Sequence, residues 1–115
     1  MRAPTVITDE FMREMMTKTR TYTLVLLKTA PGYHQPGADA IIWEHGRRQF
    51  SLRADGVLSI VCPVADDSDL AGANIFDASA EETARLMDED PAVQAGVLSY
   101  EVHPVRGFPG DRLDG

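Results

Sequence analysis

A few side chains in this 115-residue chain combine a reactive type with a telling position. His45 shares a helix face with Ile41, Ile42, Gln49 and Leu52. A histidine on such a face is either a hydrogen-bonded core group or a general base. Tyr33 and His34 lie in the Pro- and Gly-rich segment from Ala30 to Gly37, which is either a pocket wall or an exposed connector. The acidic run Asp88-Glu89-Asp90 closes a helix, where carboxylates oppose the helix dipole unless they have another task. Asp90-Pro91 supplies one such task, since Asp caps helices well and Pro suits the first helical position.

Other reactive types give weaker signals. Cys62 is the lone cysteine and sits in a hydrophobic strand, so it reads as a buried free thiol. The loop Ala65–Asp69 carries three carboxylates without the Gly and Glu of a calcium loop, and it reads as a solvated turn. No His/Cys spacing matches a zinc motif. Neither a metal nor a cofactor is expected.

The elements that position these residues follow from periodicity. Thr8 to Arg20 reads as a capped helix with an apolar stripe of Phe11, Met12, Met15 and Met16, suited to packing over the domain or across a dimer. Thr21 to Lys28 is a central strand. The helix carrying His45 spans Ala38 to Ala54, with Arg47, Arg48 and Arg53 facing outward. Gly46 suggests close approach of another chain segment, and Asp55-Gly56 ends the helix.

Two strands follow, Val57–Val64 and Leu70–Asp77, as an antiparallel hairpin. Ser79 and Glu82 form a capping box for the next helix, Gly96 breaks a short turn after Pro91, and Val97–Val105 is the last strand.

Composition narrows the function. The net charge of −7 argues against nucleic acid and against an anionic membrane surface. The apolar runs are too short to span a bilayer, and Met1-Arg2-Ala3-Pro4 does not open a signal peptide. A cytoplasmic protein is expected.

With the first helix set aside, the order strand, helix, strand, strand, helix, strand predicts an α+β, ferredoxin-like βαββαβ domain. Its four-stranded antiparallel sheet carries both helices on one face. Residues 1–20 form an N-terminal helical extension, 21–105 the domain and 106–115 a tail. Leu58, Ile60, Leu98, Tyr100 and Val102 are assigned to the helix-covered face. Val57, Ser59, Val61, Val97 and Ser99 go to the open face, which is apolar enough to predict a homodimer packed sheet to sheet.

Several of these residues carry a resemblance. The strand Tyr22-Thr23-Leu24-Val25-Leu26-Leu27, the single inward His45, Val61-Cys62-Pro63 and above all Asp90-Pro91-Ala92-Val93-Gln94-Ala95-Gly96 resemble the YCII-related (YciI-like) family of dimeric α+β barrel proteins. The likeness covers roughly Tyr22 to Val105. Where the family usually has Gly before the Pro ending the second strand, this chain has Cys62.

The resemblance implies a paired His and Asp, here His45 and Asp90, with the carboxylate fixing the imidazole tautomer. It implies a cofactor-free lyase or isomerase acting on an aromatic or enolic small molecule; the Pro- and Gly-rich loop is an addition to the family core, and Tyr33, His34 and Ser59 are candidate pocket lining on this chain's own residues. The alternative is a non-catalytic dimer, small-molecule-binding or accessory, in which His45 is bonded to Asp90 for stability. A haem-binding or monooxygenase relative has only the lone core-face histidine to support it.

Overall fold

Alternation of apolar residues along the strands builds the sheet, and a computed structural model describes residues 3–115 of the chain. Met1 and Arg2, which begin the N-terminal segment read above, lie outside the described residues. The elements are α1 (Asp9–Met16), β1 (Arg20–Thr29), a 3₁₀ turn (Pro31–His34), α2 (Ala38–Ala54), β2 (Leu58–Pro63), β3 (Leu70–Phe76), α3 (Ala80–Asp88), α4 (Pro91–Gln94) and β4 (Leu98–Gly107). The sheet is antiparallel in the order β2-β3-β1-β4, the ferredoxin-like arrangement. Arg20 and Gly107 pair with each other at one end of it, so β1 and β4 both reach slightly beyond the expected bounds. No described helix is long and apolar enough to cross a membrane.

The helix-covered face follows from the register. Thr23, Val25 and Leu27 of β1 pair with Phe76, Asn74 and Gly72 of β3, and all six are buried. Leu58, Leu98, Met87 and Ala92 complete this core, with Tyr100 and Val102 packed against it. Between β2 and β3 the register slips: Leu58 pairs with Phe76, but Ile60 pairs with Ile75. Ser59 is therefore an extra residue in a bulge, and every later β2 side chain changes face.

Two assignments are corrected by that bulge. Ile60 and Cys62 share the open face with Ile75 and Ala73, whereas Val61 joins Asn74 under the helices. Ser59 is exposed. Val57 and Val97 do not belong to the open face either, because Val57 packs against the core and Val97 is buried in it. The open face remains apolar through Leu24, Leu26, Ile60, Cys62, Ala73 and Ile75, all only half-buried.

α1 is shorter than its stripe suggests. Thr8 accepts from the Phe11 N–H as expected, but the helix ends at Met16. The Thr17 and Thr19 hydroxyls turn back to the carbonyls of Glu14 and Met16, and the β-prone Thr/Tyr run then enters β1. Arg20 pairs with Asp77 at 2.7 Å as part of the sheet rather than the helix end. No α1 residue is buried, and Phe11, Met12 and Met16 are 45%, 52% and 53% exposed. The expectation that α1 packs over its own domain is not met. The Cα radius of gyration is 17.0 Å, against about 13 Å for a compact domain of this size.

Gly32 holds the 3₁₀ turn in place. Its N–H donates to the Gly96 carbonyl at 2.9 Å, and a Cβ on Gly32 would lie 2.6 Å from that same oxygen. Gly96 can present the carbonyl because its φ of 71° is left-handed, a region glycine enters freely. Gly32→Ala is expected to cost about 1–3 kcal/mol through backbone displacement, read as a lower denaturant midpoint with unchanged slope.

Candidate active site

α2 places His45 and Gln49 one turn apart on the face that meets the sheet. Gly37 (φ 88°) opens the helix and Gly56 (φ 80°) ends it, both in the left-handed region. His45 has a side chain 12% exposed and lines a cavity of about 720 Å³ between α2, the sheet, the 3₁₀ turn and the loop that joins β2 to β3. Gly46 also lines this cavity, and nothing lies within 4 Å of where its Cβ would be. No described chain segment approaches Gly46, contrary to expectation. The missing side chain leaves room beside His45.

Asp90 comes to His45 through the junction of α3 and α4. Pro91 starts α4, and the Asp90 side chain caps it by accepting from the N–H of Ala92 at 3.0 Å and of Val93 at 3.4 Å. Its carboxylate is fully buried, and both oxygens lie 2.9 Å from His45 Nδ1. Burial is the largest single influence and pushes the Asp90 carboxyl up. The His45 hydrogen bond and charge, with the Ala92 and Val93 amides, together outweigh it and hold the carboxyl below its ordinary value.

An ionised Asp90 is acceptor-only, so Nδ1 must donate and the neutral imidazole keeps its lone pair on Nε2. His45 lines the cavity, while Asp90 stands behind it and is not part of the lining.

The neighbouring acids also have partners. Asp88 accepts from the Tyr100 hydroxyl at 2.6 Å; this bond, helped by burial, pushes the Tyr100 pKa up to about 12. Arg48 was expected to face solvent, yet its side chain is 22% exposed. Its guanidinium sits 3.6 Å from Asp90 and 3.8 Å from Glu89. The acid-rich end of α3 draws it in, and it adds positive charge beside Asp90.

The remaining residues singled out from sequence divide. Tyr33 and His34 line the cavity, brought there by the 3₁₀ turn, with their rings edge to face at 5.1 Å. Ser59 does not, because the bulge leaves it exposed away from the cavity. The acidic loop forms part of the rim through Asp66, Asp67, Ser68 and Asp69. The described residues contain no cluster of three or more His, Cys, Asp or Glu placed to hold a metal.

Gln49 and Asn74 also belong to the site, beyond the residues singled out from sequence. Both are 2% exposed, both line the cavity, and Asn74 Nδ2 donates to Gln49 Oε1 at 2.8 Å. The signal was present: Gln49 follows His45 by one helical turn, and Asn74 is the lone amide on the inward side of β3.

The fold and this cavity define an α+β ferredoxin-like protein with a histidine–carboxylate contact behind a small-molecule-sized cavity. No family model matches the chain, and no curated protein matches it. Among solved structures, the chain is similar to 5-chloro-2-hydroxyhydroquinone dehydrochlorinase from Burkholderia phenoliruptrix AC1100, in complex with 2,5-dihydroxybenzoquinone. The match has 19% identity and a TM-score of 0.48, and it covers 71% of this chain and 90% of the other.

Proposed function

We propose that this chain is a YCII-like, cofactor-free lyase or isomerase that moves a proton on an aromatic or enolic small molecule. The supporting observation is an imidazole whose Nδ1 is taken by a buried carboxylate while the ring faces a cavity of about 720 Å³. In this reading, His45 Nε2 removes a proton from a carbon next to a carbonyl, and the C–H electron pair moves into an enolate. Collapse of the enolate either expels a leaving group from the neighbouring carbon or takes the proton back at another position. Asp90 holds the tautomer and stabilises the imidazolium. Tyr33 and His34 shape the mouth.

The reaction itself can be tested without the natural substrate. Aryl ketones and 1,3-diketones are incubated with the protein in D₂O, and loss of the acidic C–H signal is followed by proton NMR. Exchange that depends on His45 supports the proposal; exchange no faster than in buffer across the panel sinks it.

A second reading also has a specific observation behind it. Asp90 accepts two α4 amides whatever His45 does, so the contact also suits a structural tie in a non-catalytic, ligand-binding or accessory dimer. That reading predicts binding from the same panel without exchange.

The same proposal includes a homodimer formed through the open sheet face. Leu24, Leu26, Ile60 and Ile75 form an apolar surface there that no described helix covers, and the exposed stripe of α1 is available to clasp the partner. Ile75→Lys is expected to shift the mass measured by light scattering from two copies to one, with the circular dichroism spectrum retained. A wild-type protein of monomer mass at micromolar concentration would exclude the dimer.

A further inference from the structure

We infer that Gln49 is the substrate-recognising donor of this cavity and that it selects a neutral molecule carrying a carbonyl oxygen. The inference rests on the His45 reading and adds the group that receives the developing negative charge.

A backbone amide sets the orientation of the whole chain of hydrogen bonds. The Cys62 N–H can only donate, and it donates to Asn74 Oδ1 at 3.1 Å. That fixes the orientation of the Asn74 amide, whose Nδ2 then donates to Gln49 Oε1 at 2.8 Å. Gln49 is fixed in turn, with Oε1 occupied and Nε2 left over. Among the described residues Nε2 has no hydrogen-bond partner and is itself buried, so a ligand oxygen meets it as a neighbouring side chain gives way. A buried donor left without an acceptor is costly, and a ligand oxygen would recover that cost.

Position gives the donor its meaning. Gln49 and His45 are separated by one helical turn, so their Cβ atoms stand about 5–6 Å apart on one wall of the cavity. A carbonyl oxygen on Gln49 Nε2 sets the adjacent C–H toward His45 Nε2. When the proton moves to the imidazole, the electron pair of the broken C–H bond becomes the enolate π bond. The carbonyl π pair becomes the third oxygen lone pair, and the Gln49 hydrogen bond strengthens as the charge forms. The rim carries Asp66, Asp67 and Asp69, which disfavours carboxylate or phosphate ligands. Asn74 is a positioning residue: it decides which end of the Gln49 amide meets the ligand.

The test uses three probes of similar shape: acetophenone, α-methylstyrene (CH₂ in place of the oxygen) and benzoate. In the ¹⁵N-labelled wild type, acetophenone is expected to shift the Gln49 side-chain amide pair, assigned by its absence in Gln49→Leu, and α-methylstyrene is not. Acetophenone should bind about tenfold tighter than α-methylstyrene, and benzoate more weakly than either. Gln49→Leu should erase the carbonyl preference.

Asn74→Asp keeps Gln49 but offers it only acceptors, so the amide turns Oε1 to the cavity and the preference is again lost. A Gln49 resonance indifferent to acetophenone, a preference retained in both variants, or benzoate binding best would overturn the inference. So would a water that stays on Nε2 while the ketone is bound. Failure here with His45-dependent exchange intact leaves the base standing; a shifted Gln49 with no exchange on any ketone condemns the base alone.

Discussion

His45→Gln is expected to slow C–H exchange on a responsive ketone by about 10²–10⁴-fold, with little change in thermal midpoint. Glutamine preserves a donor toward Asp90 and approximates the volume of the ring, so the buried carboxylate is not stranded. What disappears is the basic lone pair facing the cavity. A variant that exchanges at the wild-type rate would leave the histidine as a structural group.

Asp90→Asn and Asp90→Ala should separate the two tasks of the carboxylate. Asparagine still caps α4, accepting from Ala92 and Val93, but its amide now donates to Nδ1. That moves the imidazole proton to Nε2 and removes the base, so exchange should fall by about 10²-fold or more while stability drops by roughly 1 kcal/mol. Alanine loses the cap as well and leaves buried donors unpaired, for a cost of about 2–3 kcal/mol.

The acid limb of stability carries the same signature. In the folded chain the Asp90 carboxyl lies below its ordinary value, so the unfolded chain takes up this proton first as pH falls. The stability Asp90 contributes is complete above roughly pH 4 and is lost as pH drops through the lower folded value. Asp90→Asn should therefore show a smaller loss of denaturant midpoint between pH 7 and pH 3 than the wild type.

Much of the scaffold was legible because its signals are local. The caps at Thr8 and Ser79, the Asp55-Gly56 stop and the α2 span each depend on a few neighbouring residues. The bulge at Ser59 was not legible. Nothing in Leu58-Ser59-Ile60 distinguishes an inserted residue from a regular strand, and the slip is set by how β2 meets β3. It reversed the faces of Ile60 and Val61 and removed Ser59 from the cavity. α1 was over-extended for a related reason, since pairing across to β4 draws Arg20 into the sheet.

By itself, the sequence determined the kind of fold and two of its reactive residues: a histidine on an inward helix face and an acid at a helix end that doubles as a cap. Periodicity and capping act over a few residues, so they can be read along the chain. Only the tertiary structure decided that Asp90 reaches His45 across forty-five positions, that Arg48 turns inward and that Gln49 holds an unused donor. Those are facts of distance between separate elements, and the hydrogen bond from Cys62 through Asn74 to Gln49 exists only once β2, β3 and α2 are packed together.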